Sequence, residues 1–582
     1  MSLLGRRSFL VGAGLALAGC RKPQALSPTG AADADRERSD TFAKRLLDLQ
    51  AEFEPEASTP LGLSNANNLV SQWGPDALER ELRALRSARD DFARLAADER
   101  APAVRLDLEI LGHAAALRAR GLELEASLTV RLYDPVGTIH DGLASLLGEQ
   151  ASDADRASAS QRFARYVDAA NPLTTQAEAR MREALARKDS LRPTRTAVDD
   201  QRAAAPKLLA DVRAMCDRHH LTDASALLDR LDTQAAAFDA FLERSVLPEA
   251  RTDTRLPPEL YALRLEERGI DLDPTALARL ARQAFADLQA LMAPLAAEIA
   301  AQRGYANSDY RTVLTELKKQ QIPAAELEDV YRRRIADIDA LLRRADLVTL
   351  PERPLGFRLA SDAERAQLPA PMYLPPPLLG NSGADARYGT FVLPVSTGDD
   401  HRYDDFSFEA ATWWLTAHEG RPGHDLQYST MVEHRPSLAR AIFAFNSVNA
   451  EGWGLYAESL LESLVPPEGR LGILQARLMR AAHAFLDIEL NLGLIDAGEV
   501  RRVMVEDVGF SEAWAKTSLM RYTTWMPGQA PSYFYGYICL RELRAKVEKK
   551  LGATFELKAF HDAILAQGFL PHTLLEQALL GD

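Results

Sequence analysis

The chain has 582 residues, 47% hydrophobic and 26% charged, enough apolar material for a substantial core and too much for a disordered polymer. Its formal charge is −14 and no basic segment stands out, which excludes nucleic acid as the expected partner. Three cysteines are too few for a disulfide framework or a thiolate metal cluster.

Residues 1–20 read as an export segment, not a fold element. Arg6-Arg7-Ser8-Phe9-Leu10 precedes an apolar run, Val11 to Ala18, that is too short to cross about 30 Å of hydrocarbon. The paired arginines resemble a twin-arginine signal. Leu17-Ala18-Gly19-Cys20 resembles a lipobox, whose cysteine is lipidated before cleavage. The expectation is an exported cell-envelope lipoprotein, held to a membrane by a lipid on Cys20 and facing the periplasm if the cell has an outer membrane. Residues 21–40, rich in Pro, Ser, Gly, Ala and charges, then read as a flexible tether. Cys216 and Cys539 read as small buried residues, with one mutual disulfide left open.

From 41 to 345 the chain is rich in Ala, Leu, Arg, Asp and Glu, with apolar residues at helical spacing, so this region is expected to form helices that pack the core and wall a cleft. One helix is predicted to start at the N-cap Asp273 with Pro274 behind it. It carries one apolar face through Leu277, Leu280, Ala284, Leu288 and Leu291, bends at Pro294, and ends near Gly304. His219-His220 is not read as a metal site, because adjacent side chains diverge on a helix and no carboxylates accompany them.

The region 346–582 is the expected catalytic part. Prolines cluster at Pro369, Pro371 and Pro375 to Pro377, followed by Gly380, Gly383 and Gly389, which predicts loops and short extended pieces. Tyr388 to Val395 is the best strand candidate. The stretch 411–428 then sets His418, Glu419 and His424 at the end of an apolar run. Two imidazoles can hold a transition metal, and an adjacent carboxylate can take the proton of a water that the metal acidifies. The histidines are six positions apart. On an unbroken helix this is about 600°, roughly 120° out of alignment, so Pro422 and Gly423 must break the helix for both rings to meet.

A third ligand is offered by Glu-Gly-Trp-Gly-Leu-Tyr-Ala-Glu at 451–458. Glu451, Glu458 and Glu462 share a helical stripe, and the apolar company of Trp453, Tyr456, Leu460 and Leu461 predicts burial, where a carboxylate needs a cation or hydrogen bonds. Glu451 reads as the ligand and Glu458 as the group behind a histidine. Gly452 and Gly454 weaken a helix, which predicts that another element approaches closely there.

The blocks His-Glu-Gly-Arg-Pro-Gly-His-Asp-Leu-Gln, Glu-Gly-Trp-Gly-Leu-Tyr-Ala-Glu, Arg-Tyr-Thr-Thr-Trp-Met-Pro-Gly-Gln-Ala-Pro-Ser-Tyr at 521–533 and Phe-His-Asp-Ala-Ile-Leu at 560–565 resemble, in the same order, the bacterial domain of unknown function 885 family. That resemblance spans about residues 40–580. It implies a mainly α, gluzincin-like metallopeptidase, with a small β element beside a single zinc ion held by His418, His424 and Glu451. It also places the strand near the zinc helix, as an edge that can hold an extended peptide by β-augmentation. One position departs from the pattern: Asn491 stands where family members have a histidine, and no role of that histidine carries over.

In the resulting mechanism Glu419 is the general base and proton donor, and Tyr533, then Arg521, are the candidate donors to the oxyanion that develops on the scissile carbonyl. No G-x-S-x-G is present to suggest a serine hydrolase. The alternative is an inactive lipoprotein that keeps the cleft for peptide binding or envelope assembly. Metal content and peptide turnover separate the two.

Overall fold

One helix, Pro467–Asn491, runs through the middle of the protein in the computed structural model, which describes residues 30–148, 151–361, 364–365, 368, 370–379, 387–396 and 401–581. Every residue from 471 to 488 is buried. A helix that is apolar on all sides, here through Leu471, Ile473, Leu474, Leu478, Met479, Phe485, Leu486 and Ile488, has to be surrounded by other elements. Those are the helices Pro274–Arg303, Glu409–Glu419 and Pro531–Leu551. The same helix also buries Arg477, Arg480, His483 and Asp487, and these polar groups prove important below.

The architecture is mainly α, with a small sheet of three strands. One continuous apolar core takes in residues from Ala43 to Leu580, so both halves of the sequence contribute to it, and a satellite core lies within residues 70–231. The export segment, Cys20 and residues 21–29 lie outside the described residues, as do Pro369, Gly380 and Gly383. Within the stretch 21–40 read as a tether, a helix begins at Gly30 and spans Gly30–Phe53, packing on Pro102–Leu128.

Asp273 does cap the helix Pro274–Arg303, its side chain accepting from the Ala276 N–H, and Gly304 ends it with φ +71. The helix continues through Pro294. Its buried face corrects the predicted one: Leu277, Ala281, Leu288, Met292, Leu295 and Ile299 face the core, while Leu280 and Leu291 are exposed. Steps of three, four and seven residues keep the first set aligned; Leu280 and Leu291 fall one residue off that stripe. Cys216 and Cys539 are free thiols, so the open disulfide does not form.

The strands are β1 (Gly356–Leu359), β2 (Met372–Leu374) and β3 (Thr390–Leu393), in the order β1-β3-β2. β3 runs parallel to β1 and antiparallel to β2, with Phe391 opposite both Phe357 and Tyr373. The strand predicted at 388–395 is therefore the centre of the sheet, not an edge. Phe391, Val392 and Leu393 are all fully buried, as expected of a continuous apolar run with both faces covered. Its ladder is occupied on both sides, which leaves β1 and β2 as the edges.

Candidate metal centre

The motif helix Glu409–Glu419 is buried from Ala410 onward and ends at Gly420; a second helix, His424–His434, starts immediately after Gly423. The break that the six-residue spacing demanded is thus present. Gly423 makes it possible: a Cβ there would lie 2.0 Å from the His418 carbonyl oxygen and 2.4 Å from that of Ala417, so the loop folds back against the helix end without room for a side chain. The loop is clamped from three directions. Arg421 Nε donates to Asp425 Oδ2 at 2.7 Å, Arg421 Nη2 to the Arg353 carbonyl, and Trp453 Nε1 to the Pro422 carbonyl at 2.8 Å. Tyr373 of β2 donates to the other Asp425 oxygen at 3.0 Å, which ties the sheet to the motif.

The helix Ser447–Leu460, capped by the Asn446 side chain, brings up the carboxylates. The close approaches predicted at its glycines are real and distinct. A Cβ at Gly454 would meet the His418 ring, and one at Gly452 would lie 2.5 Å from Gly536 Cα. Of the three acidic residues, Glu451 and Glu458 reach the histidines. Glu462 lies past the helix end and pairs with Arg477 at 2.8 Å.

His418 Nδ1 is 2.7 Å from Glu458 Oε1, and His424 Nδ1 is 3.1 Å from Gln427 Oε1. Both Nδ1 atoms are thereby engaged as donors, which leaves the Nε2 lone pairs free. Each Nε2 lies 3.4 Å from the same oxygen, Glu451 Oε2, and the three atoms fall within 4.8 Å of one another. Ligands of a tetrahedral ion bound at about 2.0–2.1 Å stand about 3.3 Å apart, so the two shorter separations suit a metal. Glu451 Oε2 is buried and has no hydrogen-bond partner, the condition of a ligand oxygen. The residues present fit a zinc-like ion.

Charge balance points the same way. Burial pushes the Glu419 carboxyl up, Glu451 adds to this, and the two histidines oppose it. Burial disfavours the Glu451 carboxylate, yet contacts with His418 and His424 hold its pKa well below the ordinary value. Burial likewise disfavours His418 protonation, but Glu451 and Glu458 raise it to about 9. A bound cation would replace that proton.

Tyr533 and Arg521 are brought to the same place. The Tyr533 ring stacks on His418 with centroids 6.1 Å apart and planes 22° apart, and Arg521 Nη1 lies 3.4 Å from the Tyr533 hydroxyl. Sequence reasoning missed Gln427, Gln529, whose Nε2 is 3.5 Å from Glu451 Oε1, and Arg480, whose guanidinium lies 4.3 Å from the Tyr533 ring centre. A usable signal existed for Arg480: like Arg477, it is a cation inside the mostly apolar run 471–488. The fourth sequence block is a latch. His561 Nδ1 donates to the Leu347 carbonyl at 2.8 Å and Nε2 accepts from Tyr456 at 2.9 Å, while Asp562 accepts from Thr349. Asn491 donates to Asp487 Oδ1 and to the Tyr522 carbonyl, both at 3.1 Å, so it too is a structural tie.

The family described as "Bacterial protein of unknown function (DUF885)" matches residues 55–579. This chain belongs to that family. No curated protein matches it. Two solved structures share the DUF885 chain's fold. One is described as "the putative lipoprotein from Colwellia psychrerythraea", with a TM-score of 0.77 and 17% identity over 94% of this chain and 99% of that one. The other is "a putative lipoprotein of unknown function from Shewanella oneidensis", with a TM-score of 0.68 and 17% identity over the same shares.

Proposed function

We propose that this protein is an exported, lipid-anchored metallopeptidase that hydrolyses peptide bonds in oligopeptides with one zinc ion held by His418, His424 and Glu451. The observation that carries this reading is the buried, unpartnered Glu451 Oε2 facing two Nε2 atoms at 3.4 Å, with the Glu419 carboxyl next in sequence to one of them. A zinc ion held by His418, His424 and Glu451 would supply a Lewis acid able to acidify a water toward about pKa 7. Glu419 would accept the water's proton and return it to the leaving amine. Glu458 orients His418 through Nδ1. Tyr533 and Arg521 donate to the oxyanion.

A cavity of about 1060 Å³ supports a peptide-sized substrate, since small-ligand pockets run to about 1,000 Å³. Its walls come from both halves of the chain, with His140 and Met215 on one side and Leu374, Tyr428 and Phe569 on the other. None of the three cluster residues lines it; Tyr428, one turn beyond His424, does. Anchoring rests on Cys20 in its lipobox-like setting, and the descriptions of the two similar structures agree with it.

The test compares metal content with turnover of a mixed peptide library, read by mass spectrometry, on the same purified samples. His424→Ala should lose zinc and activity together. Glu419→Gln should keep zinc while turnover falls by about 10² or more. Wild-type turnover in Glu419→Gln removes the base, full zinc occupancy in His424→Ala removes the ligand, and a zinc-loaded wild type that cleaves nothing leaves the peptide-binding alternative.

A further inference from the structure

Five arginines are buried among the described residues, and four of them donate to oxygen. Arg162 donates to the carbonyls of Leu69, Gly142 and Ala66 and to Thr59; Arg334 pairs with Glu409 and Asp337, Arg421 with Asp425, and Arg477 with Glu462. The fifth is Arg480, at 6% exposure. Among the described residues its one hydrogen-bond partner is the Met479 thioether at 3.8 Å, and its Nε has none. A cation withdrawn from water without a counter-charge carries a large desolvation cost, which the fold recovers only if an anion arrives.

The surroundings supply further donors; the Glu419 carboxyl feels the charge of Arg480 but forms no ion pair with it among the described residues. Arg521 is near the same Tyr533 ring, its guanidinium carbon 5.9 Å from the ring centre, and is also without an ion-pair partner among the described residues. His483, one turn along the helix from Arg480, is fully buried with neither ring nitrogen partnered. Arg480 lies 4.3 Å from the Tyr533 ring centre, and that centre lies 6.1 Å from the His418 ring. The guanidinium therefore stands within about three extended residues, at ~3.4 Å each, of the metal ligands.

We propose that Arg480, supported by the charge of Arg521, anchors a carboxylate of the substrate, so that the peptides cleaved are those presenting a carboxylate within about three residues of the scissile bond. This rests on the peptidase reading above for its catalytic meaning, but the anchoring itself is a binding property. The carboxylate has two sources, a free C-terminus or an acidic side chain, and both offer the paired oxygens that a guanidinium fork recognises.

The experiment uses the zinc-loaded full chain and three forms of one short peptide: the C-terminal acid, its amide, and the amide with a glutamate in place of a neutral residue near its C-terminus. Wild type should favour the acid over the plain amide by about tenfold or more in kcat/KM, chiefly through KM, the scale of a charge-assisted hydrogen bond. Preference for the glutamate amide instead identifies the side-chain source. Arg480→Gln should bring the ratio close to one, and Arg480→Lys should restore part of it. Calorimetric binding of a dipeptide acid against its amide gives the same comparison without turnover. Equal handling of acid, amide and glutamate amide by wild type overturns the proposal, even if Arg480→Gln fails to fold. Wild type that cleaves no peptide but binds the acid at least tenfold tighter than the amide refutes the peptidase reading and leaves the anchor standing.

Discussion

Replacing Gly454 with alanine sets a methyl group against the face of a proposed zinc ligand. The added carbon would lie 2.6 Å from His418 Cε1, 2.9 Å from Nδ1 and 3.0 Å from Nε2. Ordinary contacts between such atoms are about 3.5–4.0 Å, so the ring must retreat by several tenths of an ångström or more. It cannot do so freely, because Glu458 holds its Nδ1 at 2.7 Å and metal–ligand distances tolerate only about ±0.2 Å. Alanine improves the helix by about 1 kcal/mol and overpacking costs about 1–3 kcal/mol, so net stability should fall by no more than about 2 kcal/mol. Zinc affinity should fall further, by about 10- to 100-fold, the range seen when a ligand is misoriented. Competition against a chromophoric chelator measures the affinity, and thermal unfolding of the metal-free protein measures the stability. A Gly454→Ala variant with wild-type zinc affinity would refute the assignment of His418 as a ligand held by this contact.

Gly536→Ala places its methyl 2.0 Å from the Val448 carbonyl oxygen and 2.7 Å from Gly452 Cα, so it should force two helices apart and cost about 3 kcal/mol or more, seen as a lowered denaturation midpoint; an unchanged midpoint contradicts the close crossing. Glu458→Gln keeps an oxygen for His418 but removes its charge, and should weaken zinc binding by about tenfold or more while the metal-free fold persists by circular dichroism. Asp487 is fully buried, and desolvation pushes its pKa up to about 7 despite donors from Gly528, Tyr261 and Asn491. Its unfolded pKa is about 3.9, so its contribution to stability is complete below about pH 4 and is lost as pH rises through about 7, at up to about 1.4 kcal/mol per pH unit. Asp487→Asn should lack that slope in urea unfolding, and parallel profiles would count against it. Cys20→Ala should release the protein from membranes into the soluble fraction; a wild type already soluble and unmodified contradicts the anchor.

Much of the site was legible because its chemistry is local. His418, Glu419 and His424 lie within one loop, and the mismatch between six residues and the helical repeat demanded the break that Gly420 and Gly423 mark. The glycines of the next helix announced close neighbours, though not which ones: His418 is 36 positions from Gly454 and Gly536 is 84 from Gly452 in the chain, beyond any periodicity. β3 read correctly as a strand and wrongly as an edge, because strand propensity says nothing about how many neighbours a strand acquires. Leu280 and Leu291 are expected in the core because they lie on an apolar stripe at helical spacing, but packing on Pro467–Asn491 selects a face turned from it toward Ala281, Met292 and Ile299. Arg480 was passed over because a lone arginine in a helix is ordinarily a surface charge, and its burial is a property of the helices around it.

The ties between the ends of the chain bear on how the protein is made. Asp40 accepts the Leu438 N–H at 2.7 Å across 398 residues, Asp107 accepts from Arg440 across 333, and Tyr261 donates to Asp487 across 226. A ribosome releases the first helices long before their partners exist. The nascent N-terminal region must then wait with unsatisfied carboxylates and bare apolar stripes, which favours slow completion and a dependence on chaperones. His418, His424 and Glu451 are all made before the central helix Pro467–Asn491, on which the helix Glu409–Glu419 packs, so the surroundings of that cluster are completed only late in synthesis.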